Sequence, residues 1–106
     1  MKLLDLAQRD VVYLSGPMTG QPEFNKPAFD AMQTFLVMSV GCSVLSPARH
    51  PDGWDYADYM RRAMADLLVA TAVVVLPGAD KSRGARYEIA TAEILGLPVI
   101  VAEGKV

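Results

Sequence analysis

The parts of this 106-residue sequence that could do chemistry are an acid, a phenol and two glycine-bearing loops. Glu88 lies four residues beyond Gly84 in a segment with helical spacing, next to Ile89 on the apolar face, where surface patterning would place a charge further round. In a crevice, a carboxylate at this position could attack a sugar's anomeric carbon, stabilising oxocarbenium charge and then forming a glycosyl ester. Tyr13, near the end of an apolar run, could hydrogen-bond that carboxylate and fix its orientation. Both residues have plainer readings: Glu88 pairs with Arg86, Lys81 or solvent, and Tyr13 packs in a sheet. The segment Ser15-Gly16-Pro17-Met18-Thr19-Gly20 is either a tight turn or a loop whose glycines let the backbone approach a ligand and whose amides face an anion. It has neither the Walker spacing with its lysine nor a G-x-G-x-x-G pattern, which counts against ATP hydrolysis and dinucleotide binding. The second loop, Pro77 to Gly84, runs into a helix N-terminus, where a phosphate is electrostatically favoured; Ser82 there either caps the helix or binds a phosphate oxygen.

The elements that would carry these residues alternate along the chain. Val11 to Ser15, Ser43 to Leu45, Ala72 to Leu76 and Val99 to Val101 are short apolar runs that read as strands. Between them, Phe29, Met32, Phe35 and Leu36 recur at helical spacing after Asn25, a capping amide, and Pro27; Gly41 ends that helix. A second helix starts at an Asp55 cap and carries Tyr56, Tyr59, Met60, Ala63, Met64, Leu67 and Leu68. The third, Gly84 to Leu95, presents Ala85, Ile89, Ala92 and Leu95 and stops at Gly96. The order β-α-β-α-β-α-β with near-continuous apolar strands predicts a small doubly wound α/β domain of about four parallel strands. Its ligand crevice should lie beyond the C-terminal ends of the strands, which places the loops after the first and third strands at the site.

Composition narrows the partners. The length predicts one domain, spanning residues 1–106. A net charge of −2 leaves no electrostatic footprint for polymer nucleic acid or an anionic membrane surface. No apolar run approaches the ~18 residues of a membrane span, and Asp5, Arg9 and Asp10 interrupt what a signal peptide would need, so a cytoplasmic location is expected. The lone Cys42 reads as a buried apolar side chain in a reducing compartment. His50, the single histidine, has no Cys or second His at ligand spacing, so no metal site is expected. His50 and Trp54 either pack within their loop or line a base pocket, and Asp52, Asp55 and Asp58 read first as caps and solvated charge. A mean hydropathy of +0.23 predicts self-association, with a dimer as the first expectation.

The segments Tyr13 to Gly20, Asp55 to Arg62 and Leu76 to Glu88 together resemble the nucleoside 2-deoxyribosyltransferase-like superfamily, and within it the small, often phage- or prophage-borne DUF4406 branch. The resemblance runs from about Val11 to Val101. It implies a flavodoxin-like sheet, chemistry at the N-glycosidic bond of a (deoxy)nucleoside or its 5′-monophosphate, and no metal or organic cofactor. Carried over by position, Glu88 is the nucleophile and Tyr13 its orienting partner, and the loop from Ser15 through Gly16, Pro17 and Met18 lies against base and sugar. Ser82, Arg83 and Gly84 fall where nucleotide-hydrolysing relatives hold the 5′-phosphate. Transferases acting on free nucleosides tend to have an acid at the Ser82 position, which favours a monophosphate here. Relatives place a carboxylate that assists base departure near Ala63 or Met64; the nearest acid in this chain is Asp66, the expected general acid. Longer relatives also add a C-terminal segment that helps complete a neighbour's site, whereas this chain stops at Val106. The resemblance thus admits a second reading, a nucleotide-binding or sensing module of weak or absent activity.

Overall fold

Four apolar runs form the strands of a single sheet in the computed structural model, which describes residues 1–102. They are β1 (Val11–Ser15), β2 (Ser43–Leu45), β3 (Ala72–Val75) and β4 (Val99–Val101), and every pairing is parallel, in the order β2-β1-β3-β4. Parallel neighbours need crossovers, supplied here by α1 (Lys26–Ser39), α2 (Tyr56–Val69) and α3 (Arg83–Ile94). The chain runs outward from β1 to β2 and then returns to β3 on the other side of β1, so the strand order reverses between β1 and β3. The doubly wound arrangement is the expected one.

Strand alternation divides the core into two layers. Val12, Leu14, Val74 and Ile100 pack with Phe29 and Leu36 of α1; Tyr13, Val73 and Val75 pack on the other face with Ala63 and Leu67 of α2 and Ala85 and Ala92 of α3. Side chains two apart on β1 point the same way, so Tyr13 and Ser15 both face α2 and α3. The helix ends are held as their sequences suggest in two cases. Asp55 and Asp58 form a reciprocal capping box at the start of α2, and the Ser82 hydroxyl accepts from the Ala85 amide at the start of α3. Gly96, at φ 74°, closes α3 with Leu97 N–H donating to Ala92 and Gly96 N–H to Glu93, a left-handed terminus that suits glycine.

Several expectations are corrected. Asn25 makes no side-chain cap; Glu23, Phe24 and Asn25 instead form a left-handed turn at φ 51°, 53° and 60° before α1. Leu76 lies one residue past β3, although its amide still donates to Ser15 O at 2.8 Å. The helical faces are narrower than the apolar spacing suggests, leaving Phe35, Leu68 and Leu95 exposed, because each helix covers only one face of a narrow sheet. Among the described residues no helix is long and apolar enough to cross a membrane.

Candidate active site

Beyond the C-terminal ends of β1 and β3 the structure has a cavity of about 460 Å³, within the size range of small-molecule sites. Glu88 stands in its wall. Ala85, Glu88 and Ala92 are the buried positions of α3, spaced i, i+3 and i+7, so the carboxylate occupies the middle of the face that packs on the sheet, not its margin beside Ile89. Only 9% of Glu88 is exposed, and the Ser15 hydroxyl donates to its Oε1 at 2.6 Å, the length of a charge-assisted bond. Burial pushes the carboxyl up to about 7, with hydrogen bonding from Ser15 and Tyr13 pulling the other way. Near neutral pH it is therefore divided between the protonated acid and the carboxylate.

Tyr13 lies beside this pair on the same strand face. Its hydroxyl is buried and meets full hydrogen-bond geometry with no partner, yet it stands close enough to Glu88 for the two to interact. Burial first, and the Glu88 charge second, hold the phenol well above its ordinary value. The contact that fixes the carboxylate comes from Ser15, two residues further along β1, a residue read at first only as part of the substrate loop.

Gly16 must be glycine for a packing reason. A Cβ there would lie 2.9 Å from Leu76 Cβ, because the chain leaving β1 passes directly over the chain leaving β3. Pro17 is buried in the same junction, its ring against Gly78. Gly16 and Met18 both reach the cavity wall, and across from them Ser82 and Gly84 bring the N-terminus of α3 to it. Ser82 acts as a cap through its oxygen lone pair, which leaves its hydroxyl hydrogen free to donate elsewhere. Arg83 points outward, its guanidinium 4.5 Å from the ring centre of Tyr56, which is itself part of the wall.

Asp66 is not on this wall. It is buried on α2 with its Oδ1 3.0 Å from Arg62 Nε, and its charge is felt by Tyr13 and His50 from behind. The helical turn that separates it from Ala63 carries it past the cavity into the layer between α2 and the sheet. The carboxylate that stands on the wall beside Glu88 is Asp52, on the loop after β2, paired with Lys26 of α1 at 3.0 Å.

The remainder of the wall is aromatic. His50 and Trp54 have ring centres 4.9 Å apart, Tyr59 lies 5.6 Å from Trp54, and the Tyr59 hydroxyl donates to Pro51 O at 3.4 Å, tying the loop to α2. The His50 Nδ1 is buried without a partner, and burial, then the Arg62 charge, lower its pKa, so the imidazole is neutral at pH 7. Phe24 completes this side, carried there by the left-handed turn. Five of the eight Phe, Tyr and Trp residues in the chain line the cavity, which marks it for a ligand with a flat apolar face. Phe24, Lys26 and Tyr59 carried no sequence signal of this role. For His50 and Trp54 the sequence offered loop packing and a base pocket as alternatives, and both side chains are on the wall. Among the described residues no group of three His, Cys, Asp or Glu side chains is placed to hold a metal ion.

The same architecture occurs in a solved structure of a 2-deoxyribosyltransferase from the psychrotolerant bacterium Bacillus psychrosaccharolyticus, described as a biocatalyst for nucleoside synthesis. The TM-score is 0.65 at 20% identity, over 91% of this chain and 75% of that one. At that identity the likeness establishes the fold, flavodoxin-like and 2-deoxyribosyltransferase-like, and no more. No curated protein matches the sequence. Residues 10–101, from the residue before β1 to the last residue of β4, match the family described as Domain of unknown function (DUF4406), and it is to this family that the chain belongs.

Proposed function

We propose that this protein cleaves or transfers the N-glycosidic bond of a nucleoside 5′-monophosphate through a glycosyl ester on Glu88. The observation that carries the reading is a buried carboxylate, raised to about 7 and held by a serine, in the wall of an aromatic-lined cavity at the reversal of strand order. Ionised Glu88 attacks C1′ with one oxygen while the C1′–N bond breaks. The bond's electron pair leaves on the base nitrogen, which takes up a proton from water. Water or a second base then attacks C1′, losing its proton to the hydroxide left by the first step, and the carboxylate is released. His50, Trp54 and Phe24 offer the planar faces a base would stack on, and the amides at the start of α3, with the Ser82 hydroxyl, suit a 5′-phosphate. The likeness to a 2-deoxyribosyltransferase fold supports the same chemistry.

The test incubates the purified protein with ribo- and deoxyribonucleosides and their 5′-monophosphates, separates free base by chromatography, and runs Glu88→Ala in parallel. Base released by the wild type and not by the variant supports the reading; equal release by both refutes it. The position of Asp66 outside the cavity favours one competing reading, a nucleotide-binding module without acid assistance to the leaving base. That reading predicts a ligand-dependent rise in melting temperature with no free base after long incubation.

A further inference from the structure

We propose that Ser15 is the positioning residue of the site: by holding Oε1 of Glu88 it presents Oε2 as the oxygen that reacts. The inference rests on the proposed function for its chemical meaning and on geometry for its substance. Ser15 is wholly buried, its hydroxyl has one acceptor, and that acceptor is a carboxylate 73 residues away, on another element, at 2.6 Å. A buried serine on a strand could satisfy itself on nearby backbone, so a short bond to Glu88, the one deeply buried Glu among the described residues, is a specific pairing. The neighbouring phenol of Tyr13, one side-chain period back on β1, also reaches Glu88 but without full hydrogen-bond geometry, so the well-formed bond that orients the carboxylate is the one from Ser15.

The chemistry follows from which oxygen is held. When Oε2 bonds to C1′, Oε1 becomes the ester carbonyl oxygen and still accepts from Ser15. When the ester is cleaved, negative charge returns to the carboxylate and the same bond strengthens, because hydrogen bonds to charged acceptors are the stronger kind. Ser15 thereby favours the ionised carboxylate at the start and the end of each cycle. The other groups that bear on Glu88 act differently. Tyr13 faces it from β1, Asp66 reaches Tyr13 from α2 with a negative charge, and Lys26, Asp52 and His50 stand elsewhere on the cavity wall.

Ser15→Ala and Ser15→Cys test this, the cysteine keeping a weaker donor in a slightly larger side chain. The first readout is the titration of Glu88 by carbon NMR on protein labelled at the glutamate carboxyl, with Glu88→Gln identifying the signal. Removing the hydroxyl should raise the Glu88 titration midpoint by about one pH unit or more, with the cysteine variant between alanine and wild type. The second readout is base release against pH: its acid limb should move upward by the same amount, with the loss in kcat and little change in KM. A Glu88 midpoint unmoved in the folded variants overturns the proposal. Should the midpoint move while the wild type releases no base from any substrate, the hold on Oε1 stands and the glycosidic reading fails, so the two are separable. If the alanine variant does not fold, the cysteine variant alone decides, since a thiol donates too weakly to reproduce the wild-type midpoint.

Discussion

Replacing Glu88 with glutamine should make the protein more stable at alkaline pH while removing the group proposed to react. The unfolded chain releases the Glu88 proton near the ordinary value of 4.5, whereas the folded protein retains it up to about 7. Between those values the folded state holds more protons than the unfolded state, so the wild type loses stability as pH rises from 4.5 to 7 and stays at the lower level above. A difference of that size corresponds to about 3 kcal/mol of stability lost to the buried charge. Glutamine has no charge to bury. Its amide oxygen can accept from Ser15 as Oε1 does, and its NH₂ can donate to the Tyr13 hydroxyl, which has room for an acceptor role. The variant should therefore match the wild type near pH 4 and exceed it by up to about 3 kcal/mol at pH 8, which for a domain of this size is a rise in Tm on the order of 10 °C. Urea unfolding of both proteins at a series of pH values measures the difference directly. A gap that does not widen between pH 4 and pH 8 would refute the reasoning, because it would mean that folding does not displace the titration of Glu88.

Two further substitutions separate packing from chemistry. Gly16→Ala places a Cβ at 2.9 Å from Leu76 Cβ, where neither atom can swing away, and should cost about 1–3 kcal/mol, read as a lower urea midpoint; an unchanged midpoint would show that the β1 and β3 loops can part freely. Tyr13→Phe removes a buried hydroxyl that has no partner of full geometry, so stability should change by less than about 0.5 kcal/mol or rise, while base release slows; a loss above about 1.5 kcal/mol would show that the hydroxyl is bonded in the folded protein.

Much of the fold was legible because it depends on neighbours within a few residues. The run Val11 to Ser15 could be little but a buried strand, and Asp55, Ser82 and Gly96 mark helix ends through bonds that span three to five positions. Alternation of strand and helix then sufficed for a parallel doubly wound sheet, and with it the end of the sheet at which a crevice opens. Glu88 was conspicuous for the same local reason, an acid set among apolar helix positions.

What the sequence could not decide were meetings across the chain. The bond from Ser15 to Glu88 joins residues 73 apart and depends on where α3 lies over β1, which is set by strand order and helix packing and by no local pattern. Asp66, one turn from the expected place of an acid, fell behind the cavity because helical phase fixes which residues share a face but not how the helix is rotated against the sheet. Asn25, a good capping residue by type, went instead into a left-handed turn that brings Phe24 to the wall; asparagine suits both conformations, so its type alone did not choose between them. By itself the sequence determined the elements and their order and singled out Glu88 as a candidate, since those follow from short-range hydrogen bonding and the periodicity of burial. The partner that holds the acid, the aromatic wall opposite it and the exclusion of Asp66 were decided only by the packing of three helices on four strands, where distances between remote residues are first defined.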